Sequence, residues 1–458
     1  MSVSNSALQP SATAAKPGYP PGLHNAFTFS AFNALSFQIV LSSPMVLYAK
    51  SLGASATVLG IIAGMMPLLV IFQIPAASYI PKLGFKRFVY AGWGTRVMFI
   101  FLMALVPLTG RFLDLHNRLA LILALLFCFN LSRGISSCAW LPWITALIPD
   151  HLRGKYLSTD AAVQNLASFF AFLIAAACLF GSPGAWQFSV LFAFSAVTGA
   201  ISLSFLKRIP DAEMPAEVHT STTRVPWMAM VGYRPFKKLL LAVVGYALAY
   251  GGMTAFTVAF LKTEGLSEGT ILLVSAVSFL GGLSSLWFLG SRLDRLGSKP
   301  VLTFCFCTWV ALLGGWMSLS GGILPVSIAT VVALQFFMGL LAALIQMSNT
   351  RLAMVVIPVM GRNHFFAIYS VVGNVVLGLA PIGWGLLIDI VGNREPHWLG
   401  LTWNRFTVFF SAVAAVWLLT LALVRRLEEP EAASMEQLLR EIVIQSPLRF
   451  WVRWWPRG

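Results

Sequence analysis

The side chains best able to do chemistry in this 458-residue chain are the few polar ones embedded in long apolar runs. Arg133 lies near the middle of the run 119–148, shortly after Asn130. A guanidinium stays protonated in a protein, and leaving it against lipid costs at least about 2.5–3.5 kcal/mol. It must therefore face water, protein or a partner. No Asp or Glu falls in the middle of any apolar run, so Arg133 reads as the one deep cation, surrounded by amides, carbonyls and water. A bound anionic group or a hydroxyl-rich solute would satisfy it, because a guanidinium grips an oxyanion with two parallel hydrogen bonds. The alternative is a brace to backbone carbonyls. Asn33, Gln38, Gln73, Gln164, Asn165, Gln335, Gln346, Asn349 and Asn374 also stand in apolar runs. An amide without a partner there is costly, so each either bonds a neighbouring helix or lines a wet cavity, and together they outline one. Trp140, Trp143, Trp287 and Trp384 either pack or offer a ring face to a substrate. This set suits recognition of a small polar solute. No nucleophile elbow, phosphate loop or metal-ligand set accompanies it, so neither catalysis nor a cofactor or metal is expected. Cys128, Cys138, Cys178, Cys305 and Cys307 all fall in apolar runs and read as small core residues.

Helices that cross a membrane must hold these residues. The chain is 58% hydrophobic and 10% charged, with mean hydropathy +0.80, whereas a soluble domain carries about 25% charge. A span needs about 20 apolar residues, and twelve runs qualify: 27–48, 57–80, 88–109, 119–148, 161–181, 186–206, 236–261, 269–290, 301–320, 325–350, 364–391 and 404–424. Hydrocarbon forces each backbone to satisfy itself, so they are helices, and the alternating pattern of an outer-membrane barrel is absent. The stretch 207–235 is polar and proline-bearing. It divides the chain into a leader (1–24), a six-helix bundle (25–206), a linker (207–235), a second six-helix bundle (236–426) and a tail (427–458). The leader lacks the apolar core of a signal peptide and is expected to be disordered. The tail carries a capping-box pattern, Ser434-x-x-Gln437, then Arg449 to Trp455, a mixture of arginines and aromatics suited to headgroups.

Lys plus Arg number 31 against 16 acids, a net charge of +15. The cations crowd the loops after even-numbered spans, fifteen there against six on the other side. This is the bias that orients a membrane protein with both termini cytoplasmic, and nucleic-acid binding is not implied. Asp160 and Asp389 sit near span ends, so a carboxylate relay for protons is not expected.

One tight, charged loop is Gly290-Ser291-Arg292-Leu293-Asp294-Arg295-Leu296-Gly297-Ser298-Lys299-Pro300. An echo lies 213 residues earlier, where Lys82, Leu83, Gly84 and Lys86 align with Arg295, Leu296, Gly297 and Lys299. A second repeat sets Arg153 four residues after Pro149 and Arg362 four residues after Pro358. The loops of the first pair resemble those of the major facilitator superfamily between its second and third and its eighth and ninth spans, and the loop of Arg153 looks like loops of its bacterial members. The resemblance, over about residues 25–425, implies an all-α membrane fold of twelve helices in two six-helix pseudo-repeats. It implies a secondary transporter working by alternating access in a bacterial inner membrane, with a small-molecule substrate, the lipid bilayer as its other partner and a monomeric state. Gly290, Asp294, Arg295, Gly297, Lys299, Lys82, Gly84, Lys86, Arg153 and Arg362 would form the gating loops, with Asp294 capping a helix end or pairing with Arg362. The superfamily's proton-coupled antiporters have a fourth-span arginine that Arg133 matches, with Ser136-Ser137 where Gln-Gly would follow. Efflux of amphipathic compounds, or a non-transporting receptor or scaffold on the same fold, are the other readings.

Overall fold

The computed structural model describes residues 21–148, 150–181, 183–212, 227–289, 297–357, 362–398 and 400–427. Within them twelve helices are long and apolar enough to cross a bilayer. Span 1 is His24–Ser51, span 2 Ala56–Ala77, span 3 Phe85–Arg111, span 4 Leu115–Leu147, span 5 Lys155–Cys178 and span 6 Ala185–Leu206. Span 7 is Arg234–Thr263, span 8 Glu268–Ser285, span 9 Ser298–Ser320, span 10 Ile328–Val356, span 11 Phe365–Val391 and span 12 Arg405–Arg425. The twelve-helix all-α membrane fold expected from the sequence is the fold found. Among the described residues the only strands are β1 (His397–Trp398) and β2 (Leu401–Thr402), a hairpin between spans 11 and 12.

Most helix packing falls within spans 1–6 and within spans 7–12, giving two halves. Twelve crossings return the chain to its starting side. That side is called the terminal end below, and the opposite side the far end. The repeat seen in the loops persists in the backbone. Gly84 (φ 80°, ψ 154°) and Gly297 (φ 79°, ψ 163°) each cap the start of the third helix of their half. Nothing lies within 4 Å of where a Cβ would stand at Gly84, so it is the left-handed φ, not crowding, that calls for glycine. Two residues on, Lys86 Nζ donates to the Ile209 carbonyl at 2.8 Å and Lys299 Nζ to the Leu427 carbonyl at 2.7 Å. Each lysine thus caps the chain just past the last span of its own half, where carbonyls lack helical partners.

The first helix of each half is broken. Span 1 consists of His24–Leu41 and Ser43–Ser51, with Ser42 extended (φ −129°, ψ −154°). Pro44 has no N–H to continue the ladder and fits the first turn of the new helix. Span 7 consists of Arg234–Tyr250 and Met253–Thr263, parted by Gly251 and by Gly252 at φ 83°. Span 5 also differs from expectation. Its helix runs Asp150–Cys178, starting well before the expected 161, because the charged Lys155 and Asp160 make a helical stretch look like loop.

Candidate functional site

The halves meet mainly through spans 2 and 11, spans 5 and 8, and the second pieces of spans 1 and 7. At the far end these contacts are close. A Cβ at Gly60 would collide with the Pro381 carbonyl, one at Gly64 with the Gly378 carbonyl and one at Gly385 with the Ala56 carbonyl. Small residues let the backbones of spans 2 and 11 touch. Asp389 closes this seam. Its carboxylate accepts from Ala56 N at 3.0 Å, Thr57 N at 2.8 Å and Thr57 Oγ1 at 2.6 Å, all across the two halves. An anion at a helix N-terminus is favoured by the free N–H groups and by the dipole. At the terminal end the same two spans are separated by a cleft of about 250 Å³, lined by Gln73, Ile74, Ala77 and Cys138 on one side and Ala367, Ser370 and Asn374 on the other.

Between the halves lies a central cavity of about 170 Å³. Both helix breaks border it, through Ser42 and Ser43 from span 1 and Tyr250, Met253 and Thr254 from span 7. Irregular backbone at membrane depth is tolerated where it lines a cavity, and here it does. Gln38, Gln335, Ser275, Ser278 and Trp309 supply further polar groups, and Phe172 and Phe279 form an edge-on pair at 5.1 Å. No lining residue is charged. Ser43 Oγ, Ser275 Oγ and Trp309 Nε1 are buried without hydrogen-bond partners, a cost that a polar ligand would relieve.

The residues singled out in the sequence are distributed over several places. Gln38 lines the central cavity and donates to Ser168 Oγ at 3.0 Å. Gln73 and Asn374 line the terminal cleft, Gln73 donating to Ser137 Oγ at 2.7 Å and Asn374 to the Ser370 carbonyl at 2.8 Å. Asn165 Nδ2 donates to the Ala161 carbonyl, and its side-chain oxygen approaches Gly282 of span 8. Gln164 donates to Asp160 at 2.7 Å. Gln346 is exposed and Asn349 half-buried. Trp140 packs among Phe29, Trp93 and Trp143, and Trp143 donates to the Pro210 carbonyl. Trp384 donates to the Leu248 carbonyl, tying span 11 to span 7. Lys82 lies over the Tyr79 ring. Gly290, Asp294 and Arg295 lie outside the described residues, as do the side chains of Trp287, Arg153 and Arg362, the leader to residue 20 and the tail from 428.

The expectation of one deep cation needs correcting. Arg96 of span 3 is 2% exposed and donates to Asn33 Oδ1 of span 1. Its guanidinium lies 5.3 Å from the Trp93 ring and 5.6 Å from the Phe129 ring. Two desolvated cation–π contacts at about 2 kcal/mol each and a charged hydrogen bond of about 1.5–3 kcal/mol offset the roughly 2.5–3.5 kcal/mol of its burial. The signal was available, since Arg96 stands inside the run 88–109 as plainly as Arg133 stands in its own. Arg133 is half-buried and within electrostatic range of Arg96. It is not among the residues lining the central cavity. Asp160 is half-buried within its helix and accepts from Gln164, with Oδ1 unpartnered, so it lies deeper than a span end. Asp389 does stand near a span end but faces the other half, which no local pattern reveals.

Residues 26–314 and 244–455 match the family described as the Major Facilitator Superfamily. No curated protein matches the chain in sequence. Among solved structures, a D-xylose–proton symporter superposes with TM-score 0.70 at 12% identity, covering 89% of this chain and 98% of that one. The inward-open xylose transporter XylE from E. coli gives 0.69 at 11%, covering 91% and 99%. A point mutant of the nucleoside transporter NupG gives 0.68 at 11%, covering 89% and 100%. At such identities the likeness is one of fold.

Proposed function

The chain belongs to the major facilitator superfamily, and on that premise we propose that it carries a small polar organic solute across a bacterial inner membrane by alternating access. The observation that carries the reading is the central cavity, bordered by the breaks in spans 1 and 7 and sealed from the far end by the glycine seam and Asp389. A solute would leave that cavity toward the terminal end and be admitted from the far end once the seam parts. The charge bias of the loops supports a cytoplasmic terminal end, and on that reading this state faces inward. The uncharged lining, with amides, hydroxyls and the Trp309 and Tyr250 rings, fits a neutral solute that has both a ring face and hydrogen-bonding edges. The volume limits its size, since an engineered cavity of about 150 Å³ holds one benzene. A single six-membered ring fits 170 Å³, and a multi-ring amphiphile does not, which disfavours drug-like efflux. The xylose transporters among the structural neighbours agree with this size class.

The test is a thermal-stabilisation screen of the purified chain with monosaccharides, nucleosides, polyols and hydrophobic cations. Counterflow of the best ligand into proteoliposomes, with and without a pH gradient, follows. Stabilisation by a neutral ring-sized solute together with its counterflow is the expected result. A ligand that binds but is never exchanged would point instead to a receptor on the same fold.

A further inference from the structure

The described lining of the central cavity holds no charge, yet the first half places two cations away from it at membrane depth, Arg96 buried and Arg133 half-buried. Arg96 is held in place by Asn33, Trp93 and Phe129. Its Nε–H has no partner, and neither has the Nε1–H of the adjoining Trp93. The Arg133 side chain makes no ion pair, ring contact or hydrogen bond among the described residues; it stands one helical turn after Phe129, whose ring faces Arg96, and Arg96 repels it. No carboxylate lies within ion-pair distance of either arginine among the described residues. Span 3 reaches Arg96 eleven residues after Phe85, roughly 16 Å along the axis, about halfway through a 30 Å core. Two like charges at that depth, with donors left over on both sides, form an arrangement that lacks an anion. Asn130 Oδ1, next in sequence to Phe129, is an unpartnered acceptor, and so is Asp160 Oδ1, whose carboxylate forms no ion pair with either arginine among the described residues.

We propose that Arg96, Arg133 and Trp93 form a binding site for a soluble oxyanion, a carboxylate or a phosphate, separate from the solute cavity. The guanidinium of Arg133 supplies a two-pronged grip, and the Nε–H of Arg96 and the indole N–H of Trp93 complete it. Asn130 Oδ1 accepts from a hydroxyl of the anion, as hydrogen phosphate or a hydroxy acid would provide. The route in is the terminal cleft. Cys138, which lines it, follows Arg133 by five residues on the same span, about 7 Å along the axis. Ser137, between them, is bonded to the cleft residue Gln73. The site does not depend on the identity of the transported solute, and it can be tested by binding alone.

The full chain, purified in a neutral detergent, is titrated with sodium phosphate and with sodium succinate by calorimetry and by thermal unfolding. Sodium chloride replaces them at equal ionic strength as the baseline, and phosphatidylglycerol in mixed micelles forms a separate arm. One of the two soluble anions is expected to raise the unfolding midpoint of the wild type at millimolar concentration. Arg133→Gln is expected to weaken that binding at least tenfold while raising the midpoint without anion, because the repulsion on Arg96 is gone. A brace between helices would give the opposite sign. Arg133→Lys, which keeps the charge and loses the fork, is expected to fall between and stands in if the glutamine variant does not fold. The proposal is overturned if neither soluble anion shifts the wild type beyond chloride, if only phosphatidylglycerol does, or if Arg133→Gln and Arg133→Lys bind the anion as the wild type does.

Discussion

Asp389→Asn should unlatch the far end. The carboxylate accepts three hydrogen bonds from the first turn of span 2, two of them from backbone N–H groups with no helical partner. In a buried setting each charged hydrogen bond is worth about 1.5–3 kcal/mol. Asp389 is exposed, so water competes for it and salt screens it. Exposed charge interactions are worth about 0.2–1 kcal/mol, and an anion at a helix N-terminus about 0.3–1 kcal/mol. Asparagine keeps one acceptor oxygen and loses the charge. The net loss is thus about 0.5–2 kcal/mol of the far-closed state, roughly a 2–30-fold rise in the far-open fraction. A single cysteine at the cavity residue Thr254, in a background without the five native cysteines, reports that fraction through its labelling rate with an impermeant maleimide added from the far side. The rate should rise by that same factor of roughly 2–30 in the variant, with the thermal midpoint nearly unchanged. A rate within about twofold of the parent in a folded variant would show that the glycine seam alone holds the end shut.

Trp309→Phe keeps most of the ring and removes the unpartnered indole N–H of the central cavity; it should weaken the binding of the solute found by the screen about tenfold, one charge-free hydrogen bond's worth, as read by calorimetry. Gly339→Val should destabilise the second half, since even a Cβ there would strike the Ser278 carbonyl of span 8; overpacking of this kind costs about 1–3 kcal/mol, visible as a lowered unfolding midpoint. Lys86→Met removes the cap on the Ile209 carbonyl and should cost about 1 kcal/mol in stability while leaving solute counterflow near the wild-type rate. A large transport defect there would mean that the lysine acts between the halves as well.

The helices were legible because apolar length alone defines a membrane span. The paired loops were legible too: Gly84 with Gly297 and Lys86 with Lys299 sit at one offset and adopt one geometry. The amides were found because polarity in an apolar run stands out, but which of them share a space depends on helix rotation and on pairings across hundreds of residues. Gln38 reaches the cavity and Gln73 the cleft, yet both read alike in sequence. Trp309 and Ser275, which line the cavity, carry no sequence signal that separates them from ordinary core residues. The break at Gly251-Gly252 was marked by its glycines, whereas the break at Ser42 is announced only by Pro44, a residue that membrane helices often absorb.

The seam between spans 2 and 11 sets main chain against main chain at Gly60, Gly64 and Gly385, with the Leu68 side chain seated on Gly378. Side chains contribute little to that stretch, so parting it wets little hydrocarbon. Heat capacity follows the apolar area wetted, at about 0.45 cal/mol/K per Å². Opening this stretch should therefore add almost no curvature to the temperature dependence of the opening equilibrium. A van't Hoff plot of Thr254 cysteine labelling should run close to straight from the cold to the upper limit of stability. A pronounced curvature would mean that bulky side chains elsewhere separate in the same step.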